Sequence, residues 1–359
     1  MPELCAQTGP VERFDTVVIG GGQAGLAMGH RLGLAGRRYL VVDAHERTGD
    51  SWRHRWDSLE LFTPRPFSGL PGLALPESVP QYPRKDDVAD YLERYRQHHE
   101  LAVRTDFPVR RLSRDGDFAI TGPGGALRAR SVVVATGPFR TPRVPECAAN
   151  LSPAVWQRHS HDYRRPSEVP PGEVLVVGGG NSAAQLAEEL SAGRHVTLAS
   201  SGPLVMAPKT LLGVSLFRYL DLTGYLRLDR DSRIARRARP YADVIIGRGV
   251  RELLRTGRVT GIPHAVTGCS GDRFTFADGS TRRFRNVLWC TGYRSDHDWI
   301  DVPGALDERG LPRQDRGISP VPGLYWIGLT WQIRINSALL CGVGADAAEL
   351  LARMPDCHP

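Results

Sequence analysis

Two glycine-rich loops are the segments of this chain whose residue types and spacing predict chemistry. They are G-x-G-x-x-G at Gly20, Gly22 and Gly25, and G-x-G-x-x-A at Gly178, Gly180 and Ala183. The first glycine of such a loop permits a tight turn, the second lets the backbone approach a pyrophosphate, and the third position allows close helix packing. The helix that follows carries a partial positive charge at its N-terminus, which favours phosphate. The sequence therefore predicts two dinucleotide sites.

The residues that follow each loop separate the two sites. Asp43 ends the strand after the first loop, where a carboxylate can accept hydrogen bonds from both ribose hydroxyls. Aligning the Ala-Gly pairs that close the two helices places Ser200 at the equivalent position. An acid there would repel a 2′-phosphate, whereas Ser200 and Ser201 can donate to one, so the second loop favours NADP over NAD. Lys209 is a further candidate phosphate partner, with a solvated surface position as the alternative.

Both loops lie in similar strand–loop–helix–strand units. Residues 14–20 read FDTVVIG, a β-branched run typical of a buried parallel strand, and a helical segment and the strand Tyr39–Val42 follow. Residues 173–178 read EVLVVG and begin a second such unit, and SVVVATG at 131–137 is echoed by NVLWCTG at 286–292. These repeats predict an α/β protein with two Rossmann-like dinucleotide-binding domains, one inserted into the other.

The expected domains follow from this repetition. Residues 14–141 and 294–359 form a discontinuous FAD-binding domain, residues 142–293 an inserted NADP-binding domain, and residues 1–13 a flexible tail. Two dinucleotide sites in one chain usually mean a tightly held flavin and a diffusing nicotinamide that reduces it. No C-x-x-C pair is present, so we do not expect an internal dithiol to receive the electrons. Dioxygen, an external carrier or a small oxidant remain as acceptors.

Composition excludes several other classes of protein. The 359 residues are 41% hydrophobic and 24% charged, which is typical of a soluble globular protein. The net charge is +7, but only Lys85 and Lys209 are lysines, so compositional bias toward arginine explains the charge better than a nucleic-acid partner does. The basic run at 233–239 is interpreted as a solvated helix face. Six scattered cysteines and the lack of a long apolar run predict reduced thiols, no metal site, no membrane insertion and a cytoplasmic location.

In combination the motifs resemble those of the class B flavin-dependent monooxygenases, especially the short bacterial members and the plant indole-3-pyruvate monooxygenases. The resemblance runs from about residue 14 to residue 351. The segments that carry it are GGGQAG, GDSWRHRWDSLELFTP, YPRKDDVADYLERY, ATGPFRTPRVP, GGGNSA, WCTGY and PGLYWIGLTW. In addition, residues 159–163 are similar to the end of the family fingerprint F-x-G-x-x-x-H-x-x-x-Y, with Pro153 and Val155 in place of its leading Phe and Gly.

The resemblance implies a reaction as well as a fold. NADPH would reduce FAD, dioxygen would form a flavin hydroperoxide, and one oxygen atom would pass to a small organic substrate at nitrogen or sulfur, or at a carbonyl in Baeyer–Villiger or oxidative decarboxylation chemistry. An NAD(P)H-dependent flavin oxidase or reductase without substrate oxygenation is the alternative, and a flavin-binding protein without turnover is a third. The sequence leaves open whether the chain forms a homodimer.

The resemblance also implies which residues contact the cofactors. For FAD they are Gly20, Gly22, Gly25, Asp43, Ser51, Trp52, Arg53, Val109, Ala135, Thr136, Gly137, Trp331 and Gln332. For NADP they are Gly178, Gly180, Asn181, Ser182, Ala183, Ser200, Ser201, Lys209, Thr291 and Gly292. For Trp52 the alternative is core packing, and for Ala135 it is turn geometry without ligand contact.

Catalytic side chains are not identified by the sequence, because in this chemistry the cofactor carries the reactive atom. Three weak candidates remain. Asp57 lies near the flavin by resemblance, with an ion pair to Arg53 or Arg55 as the default interpretation. Gln332 precedes the last predicted helix, at about 337–354, whose N-terminus would stabilise reduced flavin. Arg334 would bind an acidic substrate, with a surface or interdomain role as the default interpretation.

Overall fold

The structure is a computed structural model that describes residues 11–123, 125–239, 244–247 and 249–355. Most of the predicted tail, together with Cys5 and Cys357, lies outside these ranges. The helices are α1 (Gln23–Leu34), α2 (Asp50–Arg53), α3 (Lys85–His98), α4 (Asn181–Ser191), α5 (Leu216–Leu222), α6 (Arg233–Ala238), α7 (Gly249–Arg255) and α8 (Leu340–Leu351).

The strands belong to three consecutive segments of the chain. Those of the first segment are β1 (Arg13–Ile19), β2 (Tyr39–Val42), β3 (Val103–Arg104), β4 (Arg111–Asp115), β5 (Asp117–Gly122), β6 (Gly125–Val134) and β7 (Thr141–Pro142). Those of the middle segment are β8 (Trp156–His159), β9 (Val174–Val177), β10 (Val196–Ala199), β11 (Met206–Ala207), β12 (Thr210–Leu211), β13 (Val214–Ser215), β14 (Ile245–Ile246), β15 (Val259–Ile262), β16 (Val266–Ser270), β17 (Arg273–Phe276), β18 (Thr281–Arg283) and β19 (Asn286–Trp289). The last are β20 (Tyr293–Arg294), β21 (Ile300–Asp301) and β22 (Leu324–Trp326).

The first sheet has the strand order β21-β4-β5-β6-β1-β2-β3, with β22 paired to the second half of β6. Strands β3, β2, β1, β22 and the end of β6 are parallel, while β4, β5 and the start of β6 form an antiparallel meander. Helices α1, α3 and α8 pack on one face, where Val18 points, and the meander covers the other face, where Val17 and Ile19 point. Both faces of β1 are therefore buried, as its run of β-branched residues predicts.

The second sheet is built only from the middle segment. Its order is β15-β10-β9-β19-β8, and every pair is parallel. Helix α4 packs on one face, and a three-stranded antiparallel sheet of β16, β17 and β18 contributes to the core on the other. Strands β7 and β20 pair where the chain enters and leaves this unit, so they form the hinge between the two halves. The fold is α/β with the predicted insertion.

One predicted element starts later than expected. The last helix begins at Leu340 rather than near Ser337. The hydroxyl of Ser337 accepts from the main-chain N–H groups of Ile333 (3.0 Å) and Arg334 (2.9 Å), which holds a turn before the helix. A serine hydroxyl that bonds nearby backbone in this way competes with helical hydrogen bonding.

The basic run forms α6, in which Ala235 is buried and Arg233, Arg236 and Arg237 are exposed, in agreement with a solvated helix face. None of the helices in the described ranges is both long and apolar enough to cross a membrane.

Candidate functional site

The first glycine loop joins β1 to α1, and its backbone leaves room for side chains at only one of the three motif positions. A Cβ on Gly20 would lie 2.6 Å from the carbonyl oxygen of Ala135, and one on Gly25 would lie 1.7 Å from the carbonyl oxygen of Gly20. A Cβ on Gly22, by contrast, would meet nothing within 4 Å. The first and third glycines are thus required by packing, whereas Gly22 faces the open space where a pyrophosphate would approach.

Asp43 braces this loop from the end of β2. Its Oδ2 accepts from the N–H of Gly21 at 2.5 Å, and its Oδ1 accepts from the main-chain N–H of His45 at 2.8 Å. The ring Nδ1 of His45 also lies 2.8 Å from Oδ1, and this hydrogen bond raises the pKa of His45. A carboxylate has about four acceptor positions, so Asp43 retains capacity for a ribose hydroxyl.

The second loop joins β9 to α4 and repeats the packing of the first. A Cβ on Gly178 would lie 2.3 Å from the carbonyl oxygen of Cys290, and one on Gly180 would meet nothing within 4 Å. Ala183, at the third position, is almost completely buried. The residues packed against the first glycines also correspond. The N–H of Ala135 donates to the carbonyl oxygen of Ile19 at 2.8 Å, and the N–H of Cys290 donates to that of Val177 at 2.8 Å. The two loops therefore share one backbone design.

Ser200 directly follows β10 and does not hydrogen-bond to the second glycine loop. Its hydroxyl donates to the carbonyl oxygen of Gly202 at 2.6 Å, and the side chain is buried, whereas Ser201 is exposed. No negative charge stands at this position, so it fits a 2′-phosphate better than an aspartate would. To donate to a ligand, the Ser200 hydroxyl must turn away from Gly202.

Asn181 and Ser182 form the first turn of α4. The amide of Asn181 already has partners, since it donates to the carbonyl oxygen of Val244 at 3.0 Å and accepts from the N–H of Ile246 at 2.9 Å. It fastens β14 beside the second loop. Contact between this side chain and a nicotinamide nucleotide stays a prediction.

Lys209 lies at the border of the two halves. Its ammonium group pairs with Glu60 of the first half and lies 4.7 Å from the centre of the Tyr82 ring. It lines a cleft of about 360 Å³ together with Asn181, Gln185 and Glu188 of α4. A phosphate contact would have to compete with Glu60, so the predicted role of Lys209 stays a prediction.

Helix α2 holds the segment predicted to lie along the flavin. The indole N–H of Trp52 donates to Oε1 of Gln23, the first residue of α1, at 3.3 Å, which places Trp52 beside the glycine loop. Arg53 binds carboxylates of Asp50 (3.0 Å), Asp90 (2.9 Å) and Glu93 (2.9 Å) and so ties α2 to α3. Arg53 therefore serves to join the two helices. Contact of Arg53 with the flavin stays a prediction, and so does contact of the half-buried Ser51.

The remaining cofactor candidates lie at strand ends and crossover turns. Val109 is half-buried just before β4, and Thr136 and Gly137 follow the end of β6. In the second half, the hydroxyl of Thr291 donates to the carbonyl oxygen of Arg143, whose N–H donates to Gly292 at 2.9 Å. These last two bonds link the turn to the hinge, so Thr291 and Gly292 also serve the domain junction.

The three weak catalytic candidates are all engaged within the protein. Asp57 pairs with Arg165 at 3.3 Å, so the expected pairing with Arg53 or Arg55 is wrong. Gln332 is buried; its Nε2 donates to the carbonyl oxygen of Trp326 at 2.6 Å, and its Oε1 accepts from the N–H of Leu329 at 3.2 Å. It closes the turn that contains the half-buried Trp331 and lies eight residues before α8.

Arg334 belongs to a charge network between the halves. It binds Asp346 at 2.5 Å and Glu349 at 2.7 Å on α8. Arg316 binds Glu349 and also Asp229, at 2.7 Å, in the middle segment. Both carboxylates that bind Arg334 lie on α8 of the same half, so its guanidinium is not a free cation for an acidic substrate, and Arg316 carries the network to the middle segment.

A second set of contacts between the two halves surrounds Tyr293 and was not predicted from the sequence. The guanidinium of Arg55 donates to the Tyr293 hydroxyl, and the Tyr293 ring contacts those of His159, His161 and Phe139 edge-on, with centroids 5.2–6.0 Å apart. Burial lowers the pKa of His159 to about 4, so its imidazole is neutral near pH 7. The WCTGY motif identifies Tyr293 in the sequence, but no spacing links it to Arg55.

Comparisons with a family profile, with related sequences and with a solved structure agree with one another. The profile described as pyridine nucleotide-disulphide oxidoreductase matches residues 17–216. An uncharacterized CzcO-like oxidoreductase of Geobacillus kaustophilus is 43% identical over 94% of this chain and 97% of its own length. The indole-3-pyruvate monooxygenase YUCCA1 of Oryza sativa is 29% identical over 88% of this chain and 86% of its own. The solved flavin-containing monooxygenase of Stenotrophomonas maltophilia superposes with a TM-score of 0.80, at 29% identity, over 96% of this chain and 98% of its own.

Proposed function

Because the chain belongs to the pyridine nucleotide-disulphide oxidoreductase family, and its relatives and structural neighbours include flavin-dependent monooxygenases, we propose that it is an NADPH- and FAD-dependent monooxygenase. It would insert one atom of dioxygen into a small organic substrate, either at nitrogen or sulfur or at a carbonyl group in Baeyer–Villiger or oxidative decarboxylation chemistry. We place this activity in the cytoplasm and expect no nucleic-acid partner and no membrane insertion.

The observation that carries the proposal is the pair of glycine loops with different strand ends. Gly22 and Gly180 both leave open space beside a helix N-terminus, so each loop fits a pyrophosphate. Asp43 suits the ribose of FAD, and the uncharged Ser200 suits the 2′-phosphate of NADP(H). When bound, NADPH would supply the electrons and FAD would pass them to dioxygen, which supplies the oxygen atom.

The protein's own residues then have positioning roles. Trp52 and Gln23 support the flavin side of the first loop, and Asn181 fastens β14 beside the second. The Arg55–Tyr293 contact and the Arg316–Asp229 pair hold the two halves together. Such a frame keeps the two cofactors in register and excludes water, which this chemistry requires more than it requires an acid–base side chain.

Rapid kinetics test this proposal directly. The purified holoprotein is reduced with NADPH without oxygen and then mixed with aerated buffer in a stopped-flow instrument. We expect a transient species that absorbs in the near ultraviolet before the oxidised flavin spectrum returns. Immediate reoxidation with stoichiometric hydrogen peroxide would overturn the proposal in favour of an oxidase. If NADPH does not bleach the flavin, neither enzyme activity holds.

A further inference from the structure

Two cysteines far apart in the sequence lie in contact in the second half of the molecule. The Sγ atoms of Cys147 and Cys269 are 3.1 Å apart, although 122 positions separate the residues. Cys147 lies on the short 3₁₀ helix Glu146–Asn150, and Cys269 lies on β16. Since a disulfide bond is about 2.05 Å long, the sulfur atoms need to approach by only about 1 Å to be joined.

The two chain segments that carry these cysteines are joined by main-chain hydrogen bonds just after each cysteine. The N–H of Gly271 donates to the carbonyl oxygen of Asn150 at 3.1 Å, and the N–H of Ser152 donates to the carbonyl oxygen of Gly271 at 2.9 Å. The 3₁₀ helix is also held by Gln157, whose Nε2 donates to the carbonyl oxygen of Ala148 at 3.4 Å. The two segments that carry the cysteines are therefore already held side by side.

The two thiols have different surroundings. Cys269 is buried against the rings of Phe274 and Trp289, and burial raises the pKa of its thiol. Cys147 is only half-buried, so a small oxidant in solution reaches it first. The described residues contain no group of three or more His, Cys, Asp and Glu side chains able to hold a metal, so this pair is not part of a ligand cluster there.

We propose that Cys147 and Cys269 are a peroxide-sensitive dithiol that forms a reversible disulfide. The Cys147 thiol loses its proton, the thiolate attacks one oxygen of hydrogen peroxide, the O–O bond breaks, and the departing hydroxide takes up that proton, which leaves Cys147 sulfenic acid and water. The sulfur of Cys269 then attacks the Cys147 sulfur, the S–O bond breaks, and a second water leaves with the thiol proton. Two thiols are oxidised by two electrons, and one peroxide is reduced to two waters.

This dithiol is separate from the cofactor loops. It lies on the face of the second sheet opposite α4, which follows the second glycine loop. Cys147 follows closely after the hinge strand β7. The disulfide would therefore join the short 3₁₀ helix that follows β7 to β16. The expectation of scattered reduced thiols rested on sequence spacing, and the spacing could not show this contact.

Peptide mapping of the wild-type holoprotein decides the proposal. The protein is exposed to hydrogen peroxide, the remaining thiols are alkylated, and the protein is digested with trypsin without reduction. We expect residues 144–158 and 259–273 as one linked species, and a fall in free thiols from six to four per chain. Dithiothreitol should restore all six. Failure to find the linked peptides under excess peroxide, or a link through another cysteine, would overturn the proposal.

Matched variants sharpen the result. Cys147→Ser should retain its five remaining thiols, Cys269→Ser should lose only the Cys147 thiol, by oxidation to a sulfenic acid that has no thiol partner, and Cys341→Ser should form the link as the wild type does. Oxidation of Cys147 to a sulfinic acid in the wild type, with Cys269 still a thiol, would also contradict the proposal. If a serine variant does not fold, the wild-type peptide map still decides, and none of these readouts depends on monooxygenase activity.

Discussion

The two glycine loops share a backbone but differ in how they are braced. In both, a crossover carbonyl, of Ala135 or of Cys290, occupies the space where a Cβ of the first glycine would stand. In the first loop Asp43 then accepts from the loop itself, at Gly21, whereas Ser200 bonds away from its loop, to Gly202. We therefore expect the first loop to be held more firmly, as suits a retained cofactor, and the second loop to suit a ligand that comes and goes.

The largest effect is expected from Gly25→Ala. Its Cβ would lie 1.7 Å from the carbonyl oxygen of Gly20, so the loop or α1 must shift, at a cost of about 3 kcal/mol or more. We expect purified protein with little or no bound flavin, measured by absorbance near 450 nm after release. The matched variant Ala183→Gly in the second loop should cost only about 1 kcal/mol and keep its flavin. Normal flavin content in Gly25→Ala would contradict the packing argument.

A smaller effect is expected when the strand-end residues are truncated. Asp43→Ala leaves the N–H of Gly21 without its acceptor and should lower the free energy of unfolding by about 1–3 kcal/mol, with weaker flavin retention. Ser200→Ala removes one bond to Gly202 and should cost about 0.5–1.5 kcal/mol with flavin retained. Urea unfolding of both variants measures the difference. Equal losses would show that the first loop is not more firmly braced than the second.

Cofactor preference should change when an acid is placed in the second loop. Ser200→Asp brings a negative charge to the proposed 2′-phosphate position, and we expect kcat/KM for NADPH to fall about tenfold or more relative to NADH. Steady-state flavin reduction with each nucleotide measures this ratio. Ser200→Asn is the uncharged control of similar size. Equal losses with NADPH and NADH would remove Ser200 from the phosphate site.

The smallest expected effect is a pH dependence confined to the first loop. The hydrogen bond to Asp43 raises the pKa of His45, so protonated His45 stabilises the fold. This contribution is fully present below the unfolded pKa of about 6.5 and is lost as the pH rises through the higher folded pKa. Wild type should therefore lose slightly more thermal stability between acidic and alkaline buffer than His45→Gln does. Parallel profiles for the two proteins would contradict this role.

Some elements could be predicted because their signals are local. The strand from Phe14, the glycines, the helix after them and Asp43 follow one another in the sequence, and each constrains the backbone of its neighbours. The start of α8 was misplaced because Ser337 is a reasonable helix residue until its hydroxyl meets two N–H groups of a preceding turn. Asp57 was assigned the wrong partner for a similar reason, since Arg165 is remote in sequence but adjacent in space.

The sequence by itself thus determined the fold class, the two dinucleotide loops and the difference between Asp43 and Ser200. Only the tertiary structure decided that Gln332 and Arg334 are bound internally, that Arg55 meets Tyr293, and that Cys147 meets Cys269. The physical reason is the range of the interactions. Glycine loops and strand patterns reflect local backbone geometry, whereas ion pairs and thiol contacts form between residues that come together only when the chain folds.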